Sequence, residues 1–220
     1  MTMKGLLFDL DGTLVDTLED IRAALNHVLG MCYARPIDEA ECRAVVGHGL
    51  RKALRDALWY SGSAYPQDEF EILYSELVRF YGDHACVHSK IYDGIPSLLS
   101  AARDRGLKLG VLSNKADTLV QEIVSTLFPA GTFDFVHGLV EGEKPKPENN
   151  AIQGFIGLCN GQEGDVTIIG DSEVDWQTAL RAGCRYIVVS YGYRTREELS
   201  KSGVDVIADT TGEVEDRLWK

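Results

Sequence analysis

No apolar stretch in this chain of 220 residues approaches the roughly 18 to 20 uninterrupted residues that a membrane span needs. The amino terminus also lacks the charged, apolar, small-residue succession of a signal peptide, which leads to the expectation of a cytoplasmic protein. Its five cysteines (Cys32, Cys42, Cys86, Cys159 and Cys184) are an odd number, scattered, and never in a C-x-x-C pair. That argues against a disulfide framework and fits a reducing compartment. His84 and His88 are spaced to share a metal on a helix, but no second cluster completes the about four ligands of a structural zinc, and an ordinary helix end is expected. Positive charge is scarce: 22 Lys and Arg face 34 Asp and Glu, for a net charge of −12. A field of that sign opposes nucleic acid and anionic membranes, and neither is expected as a partner. The oligomeric state is left open.

What is present is an ordinary globular composition, 45% hydrophobic and 25% charged, without low-complexity runs. Short apolar runs at 4–8, 107–112, 133–136, 166–169 and 186–189 have the form of buried parallel strands. Helix-period segments lie between them, at 95–105 (followed by Gly106, a good C-cap), 116–127, 147–158 and 174–182. This alternation predicts an α/β fold, a Rossmann-like parallel sheet with helices on both faces. The stretch 16–89 breaks the pattern. Helical patterns at 38–46, 50–59 and 68–81 follow a first helix that Thr17 could N-cap, and no strand is evident. The predicted organisation is a core of 1–15 and 90–220 interrupted by an all-helical unit of 16–89.

Four motifs fall at the carboxyl ends of predicted strands, the edge where open parallel sheets bind ligands. They are Asp9-Leu10-Asp11-Gly12-Thr13, Ser113-Asn114, Lys144-Pro145-Lys146-Pro147, and Gly170-Asp171-Ser172-Glu173-Val174-Asp175. Singly, each reads as well as a solvated turn. Together they gather acids, a hydroxyl and a lysine at one edge. A phosphate beside Asp9, Asp11 and Asp171 would meet like charges at about 4 Å, each costing on the order of 4 kcal/mol at an effective dielectric near 20. Such a site works only with cations. Mg²⁺ accepts one or two carboxylates plus a phosphate oxygen, and Lys144 supplies a further positive charge. Ser113 and exposed backbone N–H groups can hold the remaining phosphate oxygens.

These motifs, with Tyr92-Asp93-Gly94-Ile95-Pro96, Leu112-Ser113-Asn114-Lys115 and Tyr191-Gly192-Tyr193-Arg194, resemble the haloacid-dehalogenase superfamily over essentially the whole chain. The nearer likeness is to its phosphoglycolate phosphatases. The resemblance implies a Mg²⁺-dependent hydrolase of a small phosphorylated metabolite, with a helical cap at 16–89. Asp9 would be the nucleophile forming an aspartyl-phosphate, and Asp11 the acid and then the base. The metal would be held by the carboxylates of Asp9 and Asp171 and the main-chain carbonyl of Asp11. Asp175 would support a metal-bound water or orient Lys144, which neutralises charge. Ser113 and Asn114 would bind phosphate, with Gly12 and Thr13 of the first motif also counted as substrate-binding. In the cap, Arg51 beside Gly47-His48-Gly49 is the candidate for selecting the leaving group.

Related mutases share the four motifs, but the related β-phosphoglucomutases carry a histidine twelve residues after the nucleophile, where this chain has Ile21. Asp11 argues for ester cleavage over the related phosphonatases and dehalogenases. Pyrophosphate and nucleoside monophosphates stay open as substrates, as does a catalytically silent binding module, although Asp9, Asp11, Lys144 and Asp171 are all retained.

Overall fold

The computed structural model describes residues 3–63, 69–148 and 150–219. In chain order the elements are β1 (Gly5–Phe8), β2 (Val15–Asp16), α1 (Leu18–Met31), α2 (Glu39–Val45), α3 (Leu50–Tyr60), α4 (Phe70–His84), β3 (Lys90–Ile91), α5 (Ile95–Asp104), β4 (Lys108–Ala116), α6 (Asp117–Leu127), β5 (Phe135–Leu139), α7 (Ala151–Leu158), β6 (Val166–Gly170), α8 (Glu173–Ala182), β7 (Arg185–Val189), α9 (Arg196–Lys201), β8 (Ile207–Ala208) and α10 (Thr211–Trp219).

Six strands form one parallel sheet in the order β5-β4-β1-β6-β7-β8. β1 lies between β4 and β6, and all of its residues are buried, as its unbroken apolar sequence requires. Alternate side chains feed opposite faces of the sheet. Leu7, Leu112 and Ile168 pack with Ile152, Phe155 and Ile156 of α7. Leu6, Phe8, Leu109 and Val111 join the larger core, with Leu98 of α5, Leu119 and Val120 of α6 and the apolar faces of α1, α3 and α4. The parallel sheet covered on both faces is therefore observed.

Between β2 and β3 the chain makes α1 to α4. The outgoing and returning segments pair antiparallel, Val15 with Ile91 and Asp16 with Lys90. Asp20 is buried in the first turn of α1 and accepts hydrogen bonds from the main-chain N–H of His88 and Ser89 and from the Ser89 hydroxyl, which ties the two crossings together.

Several expectations are corrected in detail. Thr17 sits at the N-cap position of α1 but makes no side-chain cap; its hydroxyl is drawn to Asp11 instead. Ala116 ends β4 rather than opening α6, and α7 begins at Ala151 because 145–148 form a turn. The expected helix start at Asp68 lies outside the described residues, and α4 runs on to His84. Gly106, at φ +74°, does terminate α5, its N–H and that of Leu107 donating to Arg103 and Ala102.

Candidate active site

The strand order reverses about β1, which departs to β4 on one side and β6 on the other, so the crevice at the carboxyl edge of these strands is where residues from separate loops meet. Asp9 emerges from β1. Its Oδ1 accepts the Leu10 N–H at 2.7 Å and lies 3.0 Å from Lys146 Nζ. Lys146 Nζ also donates to Asp175 Oδ1 at 2.7 Å. The acids Asp9, Asp171 and Asp175 lie with carboxylate oxygens within 4.8 Å of one another, the one such metal-competent cluster found among the described residues.

The lysine is where sequence and structure part. Lys144, the expected site cation, has a side chain 74% exposed and pairs with Glu148 at 2.9 Å. Lys146 occupies the site, with only 4% of its side chain exposed. The physical reason is the grip on its backbone. Asn114 Oδ1 accepts the Lys146 N–H at 2.6 Å, and Asn114 Nδ2 donates to the Lys146 carbonyl at 3.3 Å. Asn114 is thereby spent on positioning the 144–147 turn, with a further bond to the Gly47 carbonyl at 3.3 Å. It lines the cavity, but its side-chain amide is taken up by these protein contacts.

The main-chain N–H groups of Gly12 and Thr13 are not free for a phosphate, whereas the buried Thr13 hydroxyl makes no hydrogen bond. Their N–H groups are used within the turn, Gly12 donating to Val15 and Thr13 to Leu10. Gly12, at φ +78°, instead lets Asp171 close in, since a Cβ there would overlap the Asp171 carboxylate. Ser113 is buried and lines the cavity. It sits where the β4–β5 register shifts between Leu112 and Ala116, an irregularity of the kind found beside active sites.

Asp11 is held apart from Asp9. Its Oδ1 accepts from Lys115 Nζ and from Thr17 Oγ1, each at 2.5 Å. Lys115 is buried and also donates to the Tyr81 hydroxyl of α4 at 2.5 Å. The Tyr193 hydroxyl completes this group by accepting the Thr17 N–H at 2.9 Å. Lys115, Tyr81, Thr17 and Tyr193 were not singled out from the sequence as site residues; the signal was the place of Lys115 directly after Ser113-Asn114 and of Tyr193 in the Tyr191-Gly192-Tyr193-Arg194 segment that carries part of the family resemblance.

Electrostatics follows from burial. Desolvation pushes the Asp9 carboxyl up to about 7, with Lys146 opposing and Asp175 and Asp11 adding to the rise. Asp171 is raised well above the usual carboxylate range by burial and then by Asp175 and Asp9, although the Tyr193 N–H donates to it at 2.7 Å. For Lys146, burial works against the ammonium, but Asp175 and Asp9 outweigh it and raise its pKa. Both oxygens of Asp175 are engaged within the protein, Oδ1 by Lys146 Nζ and Oδ2 by the Ser172 N–H and hydroxyl. The crowding of acids with one lysine between them is an arrangement that a divalent cation would relieve, and an oxygen-only donor set suits Mg²⁺.

Above these groups lies a small cavity of about 30 Å³, lined on the core side by Asp9, Asp11, Ser113, Asn114 and Lys115 and on the helical side by Ile21, Val46, Gly47, Gly49, Leu50 and Ala53. Arg51 is not among the lining residues. Its guanidinium pairs with Glu71 at 2.5 Å and stacks 4.1 Å over Tyr74, on a wider groove outside.

Known proteins resemble the chain over most of its length. A phosphoglycolate phosphatase of Aquifex aeolicus is 32% identical over 193 residues, 87% of this chain and 86% of that protein. An N-acetylmuramic acid 6-phosphate phosphatase of Pseudomonas aeruginosa is 32% identical over 219 residues, 99% of this chain and 96% of that protein. A solved structure from Lactobacillus delbrueckii subsp. bulgaricus, provisionally named phosphoglycolate phosphatase, superposes with a TM-score of 0.92 at 30% identity, covering 99% of each chain. No helix among the described residues is long and apolar enough to cross a membrane. The haloacid dehalogenase-like hydrolase family matches residues 6–189, a span that runs from β1 through β7 and takes in Asp9, Asp11, Ser113, Lys146, Asp171 and Asp175; the chain belongs to that family.

Proposed function

We propose that the protein is a Mg²⁺-dependent phosphatase that hydrolyses a small phosphate monoester through an aspartyl-phosphate on Asp9, with phosphoglycolate-like compounds as the substrate class. The observation that carries this reading is the separation of the two aspartates. Asp9 faces Lys146 and the Asp171–Asp175 acids, while Asp11, two residues on, is held by Lys115 and Thr17. One carboxylate stands ready to attack and the other to handle a proton, an environmental division of labour that acid–base and covalent catalysis both need.

In this reading Asp9 attacks phosphorus in line and Asp11 protonates the leaving alkoxide. Asp11 then takes a proton from the water that hydrolyses the acyl phosphate. Lys146 neutralises charge on Asp9 and the phosphoryl group, held in register by Asp175 and Asn114, and the Ser113 hydroxyl binds a phosphate oxygen. Mg²⁺, held by the carboxylates of Asp9 and Asp171 and the main-chain carbonyl of Asp11, would supply charge neutralisation and orientation for nucleophile and phosphate.

The helices of 16–89 would act as a cap that excludes water and contacts the leaving group. Its face toward the cavity is apolar, with Ile21 at the position where related mutases carry a histidine. The insert's side of the cavity, Ile21, Val46, Gly47, Gly49, Leu50 and Ala53, offers no polar side chain to hold a large polar leaving group, which favours a small one. Names among the relatives support the same class: phosphoglycolate phosphatase recurs, alongside an N-acetylmuramic acid 6-phosphate phosphatase. The outer groove, which shares Gly49, Leu50 and Asn114 with the cavity, favours a second reading in which a larger sugar phosphate extends outward past Arg51. Phosphate release measured over a panel of 2-phosphoglycolate, pyrophosphate, nucleoside monophosphates and sugar 6-phosphates, with and without Mg²⁺, tests both. Absence of Mg²⁺-dependent release from every ester would reject the phosphatase reading.

A further inference from the structure

The segment Tyr191-Gly192-Tyr193-Arg194, between β7 and α9, takes no chemical part in the proposed reaction, yet it touches the site at several points. The Tyr191 hydroxyl donates to the Thr13 carbonyl at 3.1 Å. Gly192 packs so closely on the Gly12 carbonyl and Asp171 that a Cβ would collide with both. The Tyr193 N–H holds Asp171 at 2.7 Å, and its hydroxyl holds Thr17 at the start of the helical insert. Arg194 then crosses from the core to the insert. Its Nη1 donates to the Arg43 carbonyl at 2.7 Å and its Nη2 to the Val46 carbonyl at 3.0 Å.

Those two carbonyls belong to the end of α2, where helical hydrogen bonds run out and a cation is favoured by the helix dipole. Directly beyond them, Val46, Gly47, Gly49 and Leu50 form the insert's wall of the cavity. Gly47 (φ +108°) and Gly49 (φ +87°) adopt backbone conformations that side chains resist, so this wall has little intrinsic stiffness and takes its shape from what grips it. Among the described residues, three core side chains do so. Asn114 gives one neutral bond of 3.3 Å to Gly47. Glu173 lies 3.8 Å from the part-exposed His48, a contact of little strength. Arg194 gives two short charge-assisted bonds, the strongest of the set.

We propose that Arg194 is the latch that fixes the 46–50 wall over the reaction cavity and thereby sets the size of leaving group the site accepts. It is a positioning and specificity residue, acting through the wall rather than by touching substrate. Its activity test rests on the phosphatase reading; its structural test does not. With the latch cut, the closed arrangement is populated less often, and a small ester that depends on the wall loses apparent affinity. A bulky ester, which the closed cavity hinders, does not.

The experiment compares wild type, Arg194→Met and Arg194→Lys with Mg²⁺, using 2-phosphoglycolate and p-nitrophenyl phosphate, and follows amide hydrogen exchange over 47–50. In Arg194→Met, kcat/KM for 2-phosphoglycolate should fall about tenfold, chiefly through KM. That for p-nitrophenyl phosphate should hold or rise, and exchange at 47–50 should quicken while β1 and β6 keep their protection. Arg194→Lys, which retains a single donor group, should fall between. Equal losses for both esters, or unchanged exchange at 47–50 in both variants, would overturn the latch. If wild type hydrolyses neither ester, the phosphatase reading is what fails, and the exchange result alone decides the latch.

Discussion

Lys115 Nζ lies 2.5 Å from Asp11 Oδ1, and the lysine side chain is only 2% exposed. A buried cation against the residue proposed to move protons fixes where that carboxyl points. Replacing Lys115 by Met should lower kcat by about ten- to hundredfold for an alkyl phosphate, within the range of what positioned acid–base catalysis contributes. The loss should be smaller for p-nitrophenyl phosphate, whose leaving group needs little help from an acid. Steady-state kinetics on both esters checks this, and identical losses would assign Lys115 to folding alone. Tyr81→Phe should reproduce the effect in weaker form, since it removes one of the two partners of Lys115.

The two lysines of the Lys144-Pro145-Lys146-Pro147 segment separate cleanly by mutation. Lys146→Met leaves the part-buried Asp9 and the buried Asp175 without their counter-charge, a change that typically costs about 3–5 kcal/mol. At roughly 2–4 °C per kcal/mol for a protein of this size, the melting temperature should drop by about 6–20 °C, with activity abolished. Lys144→Met removes an exposed pair with Glu148 and should leave both quantities near wild type. Thermal melts and phosphate release on the two variants decide the matter; a dead Lys144 variant beside an active Lys146 variant would reverse the assignment.

Asp9→Asn removes the proposed nucleophile, and turnover should fall by several orders of magnitude. Acid-quenched intact-mass analysis during turnover should reveal a phosphoryl group on the wild-type chain, mapped to Asp9, and none on the variant. A phosphorylated residue other than Asp9 would refute the covalent scheme.

Metal and pH are linked through the crowded acids. The Asp9 carboxyl is raised from 3.8 to about 7, chiefly by burial, and Asp171 is raised for the same reason. Between about pH 4 and 7 the metal-free folded protein therefore holds protons that the unfolded chain has released. Its stability should decline as pH rises through that window. Mg²⁺ binds the ionised acids, so the stabilisation it gives should grow over the same window. At a hundredfold excess over Kd it should reach about 2.7 kcal/mol, or roughly 5–10 °C in melting temperature. Melts with Mg²⁺ and with EDTA from pH 5 to 8 measure the difference, and a gap that stays flat or is absent would count against metal binding at these acids.

The core strands were legible because parallel strands buried on both faces are nearly continuously apolar, as β1 is throughout and β6 is apart from Thr167. Asp9, Asp171 and Asp175 could be read from their places at strand ends. Other residues depended on contacts between distant segments, which local pattern does not carry. Lys144 and Lys146 are chemically equivalent in sequence, and the Asn114 side chain, reaching across from β4, decides which one faces inward. Thr17 has the form of an N-cap, yet Asp11 offers its hydroxyl a charged acceptor. Arg51 stands beside the glycine turn, but Glu71 and Tyr74 from α4 hold it on the outer groove. The Gly12 and Thr13 amides are claimed by the turn that follows Asp9, which no composition rule reveals.

The pairing of Asp16 with Lys90, braced by Asp20 on His88 and Ser89, has a consequence for how such a chain diversifies. To the parallel sheet, everything between those strands is a detour whose two ends already touch. Closing a longer detour between fixed ends costs little extra entropy, about 0.6 kcal/mol for each doubling of its length. Helices there can lengthen, shorten or be exchanged while Asp9, Ser113, Lys146 and Asp171 keep their places, provided that the returning helix still brings a hydroxyl such as that of Tyr81 to Lys115.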